Sequence, residues 1–155
     1  MSHRATLTLA VVLAMLAVMV PAAPADARPA EDRLEKLARA KINALRAQNG
    51  VRPVRISRGL TRSAAAYARY MLRGGYFGHQ STIRAPGRYR SLAEIILLHR
   101  GLHGRPRIAV KYWGRSSGHR YVMLRPKYRA IGVGKASGFF QGHNVTLWVA
   151  HFGRR

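Results

Sequence analysis

Beyond Glu35 a single carboxylate remains in the sequence, Glu94, and it stands inside an apolar run, Leu92-Ala93-Glu94-Ile95-Ile96-Leu97-Leu98. A carboxylate bracketed this way is partly desolvated, which costs free energy unless a cation, a hydrogen-bond donor or a protonated histidine compensates. A structural bridge to one of the many arginines would satisfy it as well as a functional partner would. His79 and His119 lie far apart in the chain, each next to a glycine in a turn-like setting. Imidazole pairs brought together by folding are common ligands of divalent metals. Taken singly, each histidine better fits a hydrogen-bonded structural role. With Glu94 as third ligand, or as an acceptor orienting one ring, His79 and His119 are the candidate ligands of a Zn²⁺ site with a position open to water.

Cysteine is absent, which removes thiolate nucleophiles and cysteine-based metal sites. Ser116 and Ser117 lack the strand-turn-helix elbow of a nucleophilic serine, and no spare carboxylate completes a triad. His99 and His103 are four apart, but Gly101 and Gly104 argue for loop. His143 and His151 flank or occupy the last predicted strand and read as polar surface or satisfied core groups. Trp113 and Trp148, with Tyr112, Tyr121 and Phe152, most simply fill the core, an aromatic rim on a groove being the alternative.

The elements that must position these residues are legible from periodicity. A helix is predicted over 31–49, with Leu34, Leu37, Ala38, Ile42 and Leu45 on one side, Glu31, Asp32 and Glu35 at its positive end, and Gly50 as its stop. An extended connection over 51–56 leads to a second helix capped by Ser57, whose Leu60, Ala64, Tyr67, Ala68 and Met71 form a buried stripe. Gly74-Gly75 ends it, and 76–90 reads as a loop carrying site residues. Residues 91–98 are ambiguous between helix and strand. Pro106 opens a third helix to about Trp113, and 116–124 adds a helical turn. Strands follow over 130–136 and 145–152, joined by a longer hairpin loop over 138–144. Helices first and strands last imply an α+β fold.

A positively charged start, a fourteen-residue apolar run from Leu7 to Val20 and the small-residue site Ala25-Asp26-Ala27 read as a secretory signal peptide over 1–27 followed by one domain over 28–155. The run is shorter than the roughly 20 residues of a membrane-spanning helix, although an uncleaved anchor is the alternative. The formal net charge is +23. Such a field draws a protein to polyanions in a salt-dependent way. For an exported chain the expected partners are anionic envelope polymers or lipid surfaces. No basic run with interleaved aromatics marks a nucleic-acid groove, and the oligomeric state is left open.

Four stretches carry a further signal: Asn43-Ala44-Leu45-Arg46 running into Gly50-Val51-Arg52-Pro53, then Gly75-Tyr76-Phe77-Gly78-His79, then Trp113 through Gly118-His119 continued by Gly132-Val133-Gly134, and last Trp148-Val149-Ala150-His151-Phe152-Gly153. In order and spacing they resemble the CAP superfamily, or SCP domain, named after cysteine-rich secretory, antigen 5 and pathogenesis-related proteins, in its short cysteine-free bacterial branch. The resemblance implies a three-layer α-β-α sandwich, a shallow cleft carrying His79, Glu94 and His119, a metal on His79 and His119, and a lipid, sterol or other small apolar ligand. Departures are also plain. Ala93-Glu94-Ile95-Ile96 replaces the family's Gly-Glu-Asn-Ile, Val122 replaces an asparagine, and Gly114, Arg115 and Ser116 stand where fuller members carry a second glutamate. A binding module without committed catalysis is therefore expected. The competing readings are a zinc-assisted hydrolase with Glu94 as base and a cationic protein that coats polyanions or membranes.

Overall fold

A computed structural model describes residues 27–155, with side chains from Arg33 onward. The predicted leader lies outside the described residues except for Ala27. The elements in chain order are α1 (Ala27–Gln48), β1 (Arg55–Ile56), α2 (Arg58–Arg73), β2 (Ser91–Arg100), α3 (Pro106–Arg115), α4 (Ser117–Leu124), β3 (Ala130–Phe140) and β4 (His143–Arg154). Four strands form one sheet in the order β1-β3-β4-β2, parallel between β1 and β3 and antiparallel elsewhere.

Alternation along β4 divides the core. Val145, Leu147 and Val149 meet Ala64, Ala68 and Met71 of α2 on one face, whereas Trp148, Ala150 and Phe152 join α1, α3 and α4 on the other. The result is the expected three-layer α-β-α sandwich. Because β2 is covered on both faces, residues 91–98 lack the polar alternation of a half-exposed strand, and periodicity alone does not reveal their type.

α2 approaches the sheet closely because β3 presents no side chain where they touch. A Cβ on Gly132 would stand under 3.0 Å from Thr61 N and from the Leu60 carbonyl carbon, and one on Gly134 would stand under 3.0 Å from Ala65 N. Ser57 caps α2 as predicted, its hydroxyl accepting from Leu60 N at 3.4 Å.

The Asn43 and Arg46 pair ties α1 to the connections on either side of the sheet. Asn43 exchanges two hydrogen bonds with the Val54 backbone. Arg46 is wholly buried and donates to the carbonyls of Arg52, Met123, Arg125 and Tyr128. Burial, then the charge of Arg129, pulls its pKa down, so carbonyl dipoles do the work of a counter-ion and fix the end of α4.

The structure corrects three expectations and extends a fourth. Glu35 does not serve the helix dipole, since α1 begins at Ala27 and places it turns further in; it is buried, accepts from the Thr61 hydroxyl and lies 3.5 Å from Val133 N. The β3–β4 hairpin has a tight Gln141-Gly142 turn rather than a longer loop, with φ of 45° and 85° at the two residues. Both strands consequently run further than predicted. Tyr112 and Tyr121 are 53% and 59% exposed, outside the core that Trp113, Trp148 and Phe152 do fill. The 51–56 connection contributes a short strand at the sheet edge.

Candidate functional site

Glu94 on β2 stands directly opposite His151 on β4, and both point to the α2 face. The loop after α2 closes over them. Gly75 turns the chain with φ of 59°, a conformation that glycine adopts without penalty. The Tyr67 hydroxyl of α2 then donates to Gly78 O at 2.6 Å, which sets His79 and Gln80 above the two strands.

The carboxylate is the hub. His79 Nδ1 donates to Glu94 Oε1 at 2.9 Å and Gln80 N to the same oxygen at 3.2 Å; Gln80 Nε2 and His151 Nε2 donate to Oε2 at 2.7 and 3.0 Å. Gln80 Nε2 and His151 Nε2 lie 3.0 Å apart because both are directed at Oε2. The Glu94 side chain is 4% exposed, His151 is fully buried, and His79 is 56% exposed. Burial alone would raise the Glu94 pKa, but the hydrogen bonds from His151, Gln80 and His79 outweigh it and hold the carboxyl below its usual range. An ionised carboxylate only accepts hydrogen bonds. It therefore fixes the tautomers, with hydrogen on Nδ1 of His79 and on Nε2 of His151. His151 Nδ1 is left without a partner among the described residues, while His79 Nε2 is left for the outside. Tyr67 is affected too: burial, then the Glu94 charge, pushes its pKa up to about 12.

His119 enters from α4. It is half-buried, and its pKa is lowered by burial first and by the charge of His79 second. No hydrogen bond joins His119 to Glu94. Beside His79 an open depression of ≈ 500 Å³ is lined by Gln80, Ile83, Tyr89, Arg90, Leu92 and Glu94. Among the described residues no group of three or more histidines and carboxylates is arranged to hold a metal ion.

The structure thus joins His79 to Glu94, leaves His119 without a hydrogen bond to either and outside the lining of the depression, and makes Glu94 an orienting acceptor whose oxygens are taken up by protein donors. An arginine partner for Glu94 is corrected to His79, Gln80 and His151. Sequence reasoning does not single out Gln80 and His151 as site residues. The signal available for His151 is its place in step with Val145, Leu147 and Val149, which turns it inward. His99 and His143 stay apart from the site: His99 accepts from the Trp148 indole at 3.2 Å and donates to Arg100 O, and His143 meets Arg100.

The family model described as "Cysteine-rich secretory protein family" matches residues 39–152. A Bacillus subtilis protein, "Uncharacterized protein YkwD", is 32% identical over 119 residues, which is 71% of this chain and 43% of that one. Among solved structures, an extracellular protein containing an SCP domain from Bacillus anthracis superposes with a TM-score of 0.69 at 18% identity, covering 88% of this chain and 45% of that one. An outer surface protein from Borrelia burgdorferi gives 0.62 at 18% identity, covering 77% and 91%. The chain spans less than half the length of YkwD and of the Bacillus anthracis protein.

Proposed function

Because this chain belongs to the cysteine-rich secretory protein, or CAP, family, we propose that it is an exported binding module whose cleft offers His79 and His119 to a divalent metal and to a ligand from the envelope. The observation that carries the reading is the His79–Glu94 pair. A buried carboxylate on Nδ1 turns Nε2 outward as a lone pair, the arrangement by which carboxylates behind a metal site orient its histidines. His119 supplies the second nitrogen. The reading requires these two imidazoles to converge, and a Zn²⁺ bound there would supply Lewis-acid attraction for an oxygen of the ligand. Ile83, Leu92 and Tyr89 stand among Ser81, Thr82, Ser91 and Arg90, a mixed lining that suits an amphipathic ligand with an anionic or carbonyl head, such as a lipid. Export is supported by the leader-like segment and by relatives described as extracellular or outer surface proteins.

The same geometry disfavours the hydrolase. A general base needs access to the proton it removes and a pKa near the working pH, whereas Glu94 is buried, saturated by donors and held low. Calorimetric titration with zinc is expected to give binding in the micromolar range or tighter that disappears in both His79→Ala and His119→Ala and survives in His143→Ala. Zinc binding indifferent to His79 and His119 would remove the metal reading. Zinc-dependent hydrolysis abolished in Glu94→Gln would replace the module with an enzyme.

A further inference from the structure

Among the described side chains the only carboxylates are Glu35 and Glu94, and both are buried in internal hydrogen bonds. Apart from the chain terminus, the described surface is therefore cationic with no negative side chain to offset it. Its most regular part is the outer face of α2. Arg58, Arg62, Arg69 and Arg73 are exposed and follow i, i+4, i+11 and i+15, with Ala65 and Ala66 between the two pairs. These positions fall on one stripe of a helix, a file about 22 Å long at 1.5 Å per residue. None of the four side chains has a hydrogen bond or ion pair among the described residues.

The file is unfavourable for the helix itself. Like charges four apart repel. Arg58 opens α2 with no acidic residue in the first turn, where the positive end of the helix dipole disfavours a cation. An external anion relieves both. All four cations are arginines, whose planar fork pairs with phosphate oxygens two at a time. A single file of forks suits a chain of phosphates lying along the helix, whereas a bilayer is a plane and best engages cations spread across one broad face.

We propose that the outer face of α2 is a docking track for a linear phosphate polymer, with Arg58, Arg62, Arg69 and Arg73 pairing with successive phosphates. This surface is independent of the His79 cleft, and the proposal stands whether or not that cleft binds metal.

The test uses poly(glycerol phosphate) and inorganic polyphosphate as probes, with binding followed by fluorescence anisotropy across a salt series. Changing all four α2 arginines to glutamine is expected to weaken binding about 100-fold near 0.1 M salt and to flatten the log K against log[salt] slope by about 3, since each phosphate contact contributes roughly 0.7. Changing Arg105, Arg107, Lys111 and Arg115 on the opposite layer to glutamine removes the same charge and is expected to cost less than about fivefold. The four-lysine version of α2 separates geometry from charge: the slope is retained and affinity falls. Thermal melts of each variant check that the fold is intact. Equal losses in the two glutamine variants would overturn the track, as would equal binding of polyglutamate, or binding to anionic vesicles that depends on the α2 arginines while the soluble polymers do not bind.

Discussion

Replacing Gly132 with alanine is expected to destabilise the protein by at least about 3 kcal/mol, more than an ordinary overpacked core position. The added Cβ would meet Thr61 N and the Leu60 carbonyl carbon, both under 3.0 Å away. These are backbone atoms of the first turns of α2, so no side-chain rotation relieves the clash. α2 must lift from the sheet, giving up the buried contacts of Ala64, Ala68 and Met71, and Tyr67 moves with it. The Tyr67–Gly78 bond is then lost and the loop bearing His79 is released. A thermal or urea melt of Gly132→Ala beside Gly114→Ala measures this. A Cβ on Gly114 in α3 would stand 4.0 Å from Leu45 Cδ2, an ordinary contact, so its alanine variant should be neutral or stabilised by up to about 1 kcal/mol through helix propensity. Similar stability for the two variants would mean that α2 does not rest on β3 as described.

Glu94→Leu should lose about 3 kcal/mol, because His151 Nε2 becomes a buried donor and the Gln80 amide a part-buried one without the carboxylate acceptor, at roughly 1–3 kcal/mol for a fully buried group. The loss should also remove the orientation of His79 and weaken any metal binding about 10- to 100-fold, the usual effect of deleting a carboxylate that holds a metal-binding histidine. The two effects separate in the double variant Glu94→Leu with His151→Phe. Removing both partners together replaces a polar pair with an apolar one, which is often nearly neutral, so much of the stability returns while the metal affinity does not. Urea denaturation and calorimetry on the three proteins check this. Metal affinity recovering along with stability would show that Glu94 serves the core alone.

The helices are the most legible part of the fold. The α2 stripe, its Ser57 cap and the stop at Gly74 follow from spacing and turn chemistry, and the structure buries Leu60, Ala64, Ala68 and Met71 as that spacing requires. The tight hairpin escapes sequence reasoning because Gln141-Gly142 is a weak signal for a turn usually marked by Asn-Gly or Asp-Gly. Glu35 is misleading because acidic residues near a helix start normally serve the dipole, and nothing local shows that α1 begins earlier. In the site, His79 and Glu94 stand out by residue type and isolation. Gln80 and His151 do not, since their role exists only when a loop crosses two paired strands, a contact between residues 71 positions apart. The exposure of Tyr112 and Tyr121 likewise depends on which side of α3 and α4 meets the sheet.

Everything proposed for the cleft depends on a buried, ionised Glu94 that fixes His79 with its proton on Nδ1 and its Nε2 lone pair facing outward. Long-range ¹H–¹⁵N correlation spectra of the imidazole rings, recorded near neutral pH without metal and again with zinc, read this directly. The expected result is the Nδ1–H tautomer for His79 and the Nε2–H tautomer for His151, both lost as fixed populations in Glu94→Leu, with zinc moving only the Nε2 resonance of His79 and a nitrogen of His119. A His79 found with its proton on Nε2, or unchanged by the loss of Glu94, would contradict it.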